Sequence, residues 1–258
     1  MGYCVYLNLY PRGKAGDKRM KTFSLTDVGR VRESNQDYVY TSESPVGNLP
    51  NLFIVADGMG GHNAGDFASK YTVEQIVEYI KKAPMTSPVD LIRGAVTKAN
   101  ARLMALAKND VSMAGMGTTA VIMTVIDDCM YVANIGDSRL YLLREGLEQI
   151  TKDHSLVQEM VRMGEMNASE ARYHPDKNII TRAVGAFEDL EIDFFEEHVD
   201  SGDVILMCSD GLSNMVDDMD ICQIVRTGRD VVEKVQRLVE AANRGGGKDN
   251  ITVAIIEI

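Results

Sequence analysis

A chain of 258 residues can form one large domain or two small ones, and its 45% hydrophobic content is sufficient for a sizeable core. The net charge of −11 argues against a general binder of nucleic acid or of anionic membranes. No apolar stretch approaches the roughly 18 residues that cross a bilayer. The four cysteines show neither metal-binding nor disulfide-framework spacing, which fits a reducing compartment, so we expect a cytoplasmic protein.

The first 19 residues do not resemble the start of a domain. Residues 3–10 are apolar, but the run is short and ends at Pro11, and its basic residues follow it. A signal peptide has its positive charges first. We therefore expect residues 1–19 to be an N-terminal extension outside the fold and residues 20–258 to form one domain. The extension would arise from a start site upstream of the natural one, or it would be a functional arm.

From residue 20 onward, strands and helices are predicted without a linker or repeat. Strands are predicted at residues 22–27, 38–42, 51–56, 118–126, 129–135, 139–143, 147–151, 191–198, 204–209 and 251–258. Helices are predicted at residues 65–82, 89–108, 217–226 and 229–244. Because strands joined by hairpins are antiparallel, the simplest fold is α+β, a four-layer α-β-β-α sandwich of two antiparallel sheets flanked by helix pairs.

Aspartates stand at the ends of several apolar runs. Asp57 and Asp210 each end a run and are each followed by glycine, Asp137 closes a third run, and Asp249 precedes the last strand. A single Asp-Gly pair is usually turn chemistry, in which glycine supplies a positive φ. If these ends meet at one rim, however, four carboxylates repel one another unless cations neutralise them. Hard divalent metals, which prefer oxygen ligands, would do so.

Seven short motifs occur in a fixed order along the chain. They are residues 29–37 (GRVRESNQD), 57–62 (DGMGGH), 117–119 (GTT), 136–139 (GDSR), 151–155 (TKDHS), 209–212 (SDGL) and 249–250 (DN). In this order they resemble the PP2C-type (PPM) metal-dependent protein serine/threonine phosphatases, and most of all the compact bacterial branch. The resemblance runs from about Met20 to Ile258 and implies an α-β-β-α sandwich with two core Mn²⁺ or Mg²⁺ ions at one end of the sheets.

The resemblance also assigns the metal contacts. It implies that Asp57 bridges both ions, that the Gly58 carbonyl contacts one of them, and that Asp210 and Asp249 complete the first site. Asp37 would lie at the second ion, as a ligand or through water. Two such ions about 4 Å apart can share one water, lower its pKa and hold it in line with a phosphorus atom.

Three further residues receive roles from the resemblance. Asp137 would share a third, weaker metal site with Asp210, although it can also be explained as the cap of a turn. Arg32 would bind the phosphate, since a guanidinium can bind two of its oxygens. His62 is the candidate general acid, and a water on the metals is the alternative acid. Met59 stands where many eukaryotic relatives carry histidine.

These features predict an enzyme that hydrolyses phosphoserine and phosphothreonine through a metal-bridged water. We expect phosphorylated protein substrates, including a bacterial serine/threonine kinase whose action the enzyme reverses, no nucleic acid or membrane partner, and a monomer. A catalytically dead binding module would lack one of the aspartates, whereas all remain here. A phosphatase for another phosphoester stays open, because specificity lies in the surrounding loops. The polar segment 155–186 is predicted to be a mobile flap beside Asp137.

Overall fold

Two antiparallel sheets form the centre of the computed structural model, which describes residues 20–60 and 64–258, without the side chain of Ala168. The strands are β1 (Lys21–Asp27), β2 (Asp37–Ser42), β3 (Leu52–Met59), β4 (Gly117–Thr118), β5 (Ala120–Ile126), β6 (Cys129–Ile135), β7 (Arg139–Leu143), β8 (Leu147–Gln149), β9 (Asp193–His198), β10 (Val204–Cys208) and β11 (Ile251–Glu257). The helices are α1 (Ala64–Lys82), α2 (Pro88–Asn109), α3 (Leu156–Arg162), α4 (Ala168–Ala171), α5 (Asp210–Ser213), α6 (Asp218–Thr227) and α7 (Val231–Arg244). The predicted extension, residues 1–19, lies outside the described residues.

Each sheet combines strands from distant parts of the chain. The first sheet has the order β1-β11-β10-β7-β8, and the second has the order β2-β3-β5-β6-β9, with β4 paired to β3 beside this path. The strand pairings are antiparallel. They include the pairing of β5 with β6, for which the two-residue connection Asp127-Asp128 predicts a hairpin. The predicted α+β class with two antiparallel sheets is therefore confirmed.

The alternation of side chains along the strands produces the layers. On β3, Phe53 and Val55 are buried between the two sheets, while Ile54 packs against α1 and α2. On β10, Met207 faces the other sheet and Leu206 packs in the cluster formed with α6 and α7. Both sheets are thus apolar on both faces, as expected when helices cover the outer faces. Each such apolar side chain contributes about 1.5–3 kcal/mol on burial.

Helix α1 differs from the prediction in which face it buries. The helical spacing of Phe67, Tyr71, Ile76 and Tyr79 predicts a core stripe. Ile76 is buried, but the three aromatic residues are only half-buried, and the rings of Phe67 and Tyr71 stack with their centroids 5.2 Å apart. The buried face instead includes the smaller Ala68 and Thr72. Small side chains let the helix approach the sheet closely, so the large rings lie at its border.

Segment 155–186, which we call the flap, contains the short helices α3 and α4 and otherwise irregular backbone. Its two ends are fixed by main-chain hydrogen bonds, from the Leu156 amide to the Ile179 carbonyl (2.8 Å) and from the Thr118 amide to the Val184 carbonyl (3.0 Å). The predicted mobility of the flap stays a prediction. Within residues 20–60 and 64–258, no helix combines the length and the apolar character needed to cross a membrane.

Candidate active site

Four of the predicted aspartates line a single cavity of about 240 Å³: Asp57, Asp137, Asp210 and Asp249. Asp57 lies near the end of β3, and Asp137 follows β6. Asp210 follows β10 and Asp249 precedes β11; because these two strands are antiparallel neighbours, the end of one lies beside the start of the other. The strand ends thus meet at one rim, as the sequence predicts.

Asp37 lies behind this cavity and does not line it. It is the register partner of Asp57 across β2 and β3, and it is only 5% exposed. The Ser209 hydroxyl donates a hydrogen bond of 2.6 Å to one carboxylate oxygen of Asp37. Asp37 is therefore next to Asp57 and close to the cluster, but it is outside the lining of the cavity.

The glycines after Asp57 and Asp210 are needed for close backbone contacts, and the turn explanation of the Asp-Gly pairs is wrong for both. Neither Gly58 nor Gly211 has a positive φ. A Cβ atom on Gly58 would lie 2.0 Å from the carbonyl oxygen of Gly65 in helix α1, and one on Gly211 would lie 1.9 Å from the carbonyl oxygen of Asn250. Only glycine allows these backbones to approach so closely.

Asn250 connects the two halves of the site. Its side-chain oxygen accepts a hydrogen bond of 2.8 Å from the Gln36 amide, and its side-chain nitrogen donates to the carbonyls of Val28 and Ser34 at 3.0 and 2.9 Å. The loop between β1 and β2, which carries Arg32, is thereby fixed against the residue that follows Asp249. The sequence motif contained Asn250, but its position alone did not indicate this role.

A second set of hydroxyl groups holds the backbone of Asp57, and sequence reasoning missed its role. The Thr118 hydroxyl donates to the Asp57 carbonyl at 2.9 Å, and the Asp57 amide donates to the Thr119 hydroxyl at 2.9 Å. The Thr119 hydroxyl also shares a hydrogen bond of 2.7 Å with Ser138. The motifs at 117–119 and 136–139 were the available signal, since they contain Thr118, Thr119 and Ser138.

Burial and mutual repulsion disfavour negative charge in this cluster. Burial, followed by the neighbouring carboxylates, raises the pKa of Asp57 well above its usual range. Burial likewise raises the pKa of Asp137 well above its usual range, that of Asp37 to about 7 and that of Asp210 to about 6. A cation in the cavity would reverse this effect and keep the carboxylates ionised.

The donor set fits a hard divalent cation. One carboxylate oxygen of Asp210 accepts a hydrogen bond of 2.9 Å from Asn214, whereas the other oxygen is buried without a partner. The carboxylate of Asp37 is similar, because one oxygen accepts a hydrogen bond from Ser209 and the other is buried without a partner. Oxygen donors of this kind suit Mg²⁺ or Mn²⁺ better than Zn²⁺. In residues 20–60 and 64–258, no three acidic, histidine or cysteine side chains are already grouped as a metal site, so the carboxylates would have to draw together around an ion.

Arg32 lies at the mouth of the cavity, on the loop between β1 and β2. Its Nη2 atom donates to Asp249 Oδ2 at 2.8 Å, and its side chain is 51% exposed. The hydrogen bond to Asp249 raises the pKa of Arg32. The guanidinium therefore binds a predicted metal ligand in this structure and keeps its other nitrogen donors available.

Asp137 faces the cavity from one side, next to the flap. A turn capped by Asp137 would run through Ser138 and Arg139, but both side chains bond elsewhere. Ser138 pairs with Thr119, and Arg139 binds Asp153 at 2.6 Å and Tyr141 at 2.9 Å. A second cavity of about 240 Å³, lined partly by flap residues, shares Asp137 and Asp210 with the first. Asp137 thus lies at the boundary between the aspartate cluster and the flap.

The predicted acid, His62, lies outside the described residues. Of the three histidines that are described, none lines the aspartate cavity. His174 and His198 pair with nearby aspartates at the surface, whereas His154 is 6% exposed and bonded to Asp193.

Comparisons with known proteins agree with this fold. The family model of protein phosphatase 2C matches residues 25–251. The chain is 39% identical over 237 residues to the serine/threonine phosphatase stp of Listeria monocytogenes. The aligned region covers 90% of this chain and 93% of the relative. The chain therefore belongs to the protein phosphatase 2C family, and it is a protein-serine/threonine phosphatase of the bacterial type.

Solved structures give the same result. The S. agalactiae serine/threonine phosphatase superposes with a TM-score of 0.87 at 35% identity, covering 93% of this chain and all of that one (100%). The catalytic domain of the phosphatase PstP, solved with two manganese ions, superposes with a TM-score of 0.81 at 34% identity, covering 92% of this chain and 97% of that one.

Proposed function

We propose that this phosphatase hydrolyses phosphoserine and phosphothreonine with two divalent cations, Mn²⁺ or Mg²⁺, held by Asp37, Asp57, Asp210 and Asp249. The observation that carries the proposal is the pair of buried, unpartnered carboxylate oxygens on Asp37 and Asp210 in a cluster whose carboxyl pKa values are raised. The two manganese ions in PstP support the same stoichiometry. When bound, the cations would supply positive charge and lower the pKa of the water that attacks phosphorus.

The chain's own residues would hold the substrate and the carboxylates in place. Asp57 is fixed through its backbone by the two threonine hydroxyls, so its carboxylate has a defined direction. The Gly58 carbonyl would add an uncharged oxygen ligand, and Asp137 would hold a third, weaker ion together with Asp210. Arg32 would bind phosphate oxygens with the donors that Asp249 leaves free, which orients the ester for attack.

The leaving serine or threonine oxygen needs a proton. We assign this proton transfer to His62, since imidazole titrates near neutral pH. We further infer that residues 20–258 are the phosphatase domain, and that a monomer acts in the cytoplasm on phosphorylated proteins, including a serine/threonine kinase whose action it reverses.

The proposal is tested by hydrolysis of a phosphothreonine peptide and of p-nitrophenyl phosphate, each with EDTA, Mg²⁺ or Mn²⁺. We expect activity on both esters only with metal, and an Asp57→Asn variant without activity. Asp189→Asn, at an exposed aspartate outside the cavity, is the matched control and should behave as the wild type. Full activity in EDTA would contradict the metal assignment. Hydrolysis of small phosphoesters without any hydrolysis of the peptide would contradict the substrate assignment.

A further inference from the structure

We infer that His154 is a positioning residue that fixes the turn carrying Asp137 and joins this turn to both ends of the flap. The inference rests on the proposed function, in which Asp137 holds a cation.

Reciprocal hydrogen bonds connect His154 to Gly136, the residue before Asp137. The Gly136 amide donates to His154 Nδ1 at 3.1 Å, and the His154 amide donates to the Gly136 carbonyl at 3.0 Å. Gly136 has φ +100°, and a Cβ atom there would lie 2.5 Å from Thr119 Cγ2. The turn is thus pressed against Thr119 on one side and held by His154 on the other, which fixes where the Asp137 side chain begins.

The partners of the imidazole define its tautomer. Because an amide N–H donates to Nδ1, that nitrogen is an acceptor and the proton is on Nε2. With its proton, Nε2 donates to Asp193 Oδ2 at 3.1 Å. Arg182 Nη1 donates to the other oxygen of Asp193 at 2.8 Å. The same Arg182 atom lies 3.2 Å from Nε2, where no hydrogen bond forms because both nitrogens carry protons. Burial lowers the pKa of His154, which favours the same neutral form. Asp193 and Arg182 therefore orient the ring for Gly136.

These contacts join elements that are distant in the sequence. His154 immediately precedes the flap, and its carbonyl accepts a hydrogen bond of 2.8 Å from the Thr181 amide near the flap's other end. Asp193 opens β9 and is the register partner of Asn134 on β6, two residues before Gly136. The entry of the flap, its exit and the end of β6 all meet at His154, so a displacement of the flap would be transmitted to Asp137.

Two substitutions separate the contacts of the ring. Asparagine retains a group near the Nδ1 position and can still accept from Gly136, whereas glutamine reaches the Nε2 position and loses that acceptor. A purely structural histidine would lower the melting temperature in both variants without a local effect at Asp137. A positioning histidine predicts that His154→Gln perturbs Asp137 more than His154→Asn does.

The first experiment is hydrogen–deuterium exchange of the full chain in EDTA, followed in the peptide that contains residues 134–140. We expect His154→Gln to accelerate exchange in this peptide by about tenfold, since a buried hydrogen bond of the turn is lost. His154→Asn should show a smaller change. His174→Gln, at a histidine of the flap surface, is the matched control and should leave this peptide unchanged.

The second experiment counts bound Mn²⁺ by electron paramagnetic resonance. We expect His154→Gln to weaken the weakest Mn²⁺ site by about tenfold while the tightest two sites keep their affinity. Asp193→Asn, at a half-buried position, should lower the Mn²⁺ affinity of the same site by a smaller factor. This variant replaces His154→Gln in the experiment if His154→Gln does not fold. Unchanged exchange at 134–140 together with unchanged Mn²⁺ binding in the folded variants would overturn the inference. Absence of Mn²⁺ binding by the wild type would instead overturn the proposed function, while the exchange experiment would still test His154.

Discussion

Among the described residues that line the aspartate cavity, Arg32 alone carries a positive charge. Its contact with Asp249 makes a double role possible, in which one nitrogen holds a carboxylate and the others bind phosphate. We expect Arg32→Ala to raise KM for a phosphothreonine peptide by roughly 10- to 100-fold, because charged hydrogen bonds to the phosphate are lost. The change in kcat should be much smaller. The reason is that phosphate is bound similarly in the ground and transition states. Steady-state kinetics at saturating Mn²⁺ measures both constants.

Two variants control this prediction. Arg32→Lys keeps the charge without the guanidinium fork and should recover only part of the affinity. Arg30→Ala removes an exposed charge from the same loop and should leave KM unchanged, since Arg30 does not line the cavity. A fall in kcat with unchanged KM in Arg32→Ala would assign the arginine to the chemical step instead.

His62 is tested by the choice of leaving group. We expect His62→Gln to lower kcat for a phosphothreonine peptide by about 100-fold or more, because the serine or threonine alkoxide needs a proton as it departs. With p-nitrophenyl phosphate the defect should shrink, since p-nitrophenolate leaves without one. The measurement is kcat for both esters in wild type and variant, and equal defects on the two would exclude His62 as the acid.

At the scale of elements, strands β10 and β11 bring Asp210 and Asp249 together, and Gly211 permits this approach. We expect Gly211→Ala to destabilise the protein by about 1–3 kcal/mol, because its methyl group would meet the Asn250 carbonyl. The variant should also lose Mn²⁺ affinity, since both neighbouring aspartates would shift. Urea unfolding and calorimetric titration with Mn²⁺ measure the two effects.

Gly146→Ala is the matched control for this substitution. A Cβ atom at Gly146 would meet no atom within 4 Å, and this residue has no positive φ. The control should keep wild-type stability and metal affinity. Equal behaviour of Gly211→Ala and Gly146→Ala would show that the β10–β11 approach is not needed for the site.

At the scale of the whole molecule, the aspartate cluster makes the metal-free protein sensitive to pH. The pKa values of Asp37, Asp57, Asp137 and Asp210 are raised above an unfolded value of about 4. Between about pH 4 and the folded pKa values, the native state binds more protons than the unfolded state, so the free energy of unfolding falls as pH rises. The lowered pKa values of Asp193 and Asp203 act in the opposite direction, but these two carboxylates titrate at or below about pH 4. The lowered pKa of His154 also opposes the effect of the four aspartates, as one described group against four.

We therefore expect the protein in EDTA to be more stable near pH 5.5 than near pH 7.5, as measured by urea unfolding at both values. Millimolar Mn²⁺ should raise stability at pH 7.5, by about 2.7 kcal/mol at a free concentration one hundred times Kd. Asp57→Asn should flatten the pH dependence in EDTA, because it removes one of the titrating groups. Greater stability at pH 7.5 than at pH 5.5 without metal would contradict the prediction.

The sequence by itself determined the main strands and helices, their layers and the positions of aspartates at strand ends. The apolar run of residues 51–56 and the two-residue turn at Asp127 and Asp128 are local patterns. They specify a strand and a hairpin independently of the rest of the fold. Aspartates at strand ends can be recognised in the same way, because a strand end is visible in sequence. The motif order supplied the family.

Only the tertiary structure decided which distant groups touch. The ion pair of Arg32 with Asp249, the contact of Gly211 with Asn250 and the pairing of His154 with Gly136 join different strands and loops. Strand order and register set such contacts, and neither leaves a periodic signal in the chain. For the same reason Gly58 could be taken for a turn residue, although its role is to let helix α1 approach β3, and the aromatic residues of α1 could be taken for its core face.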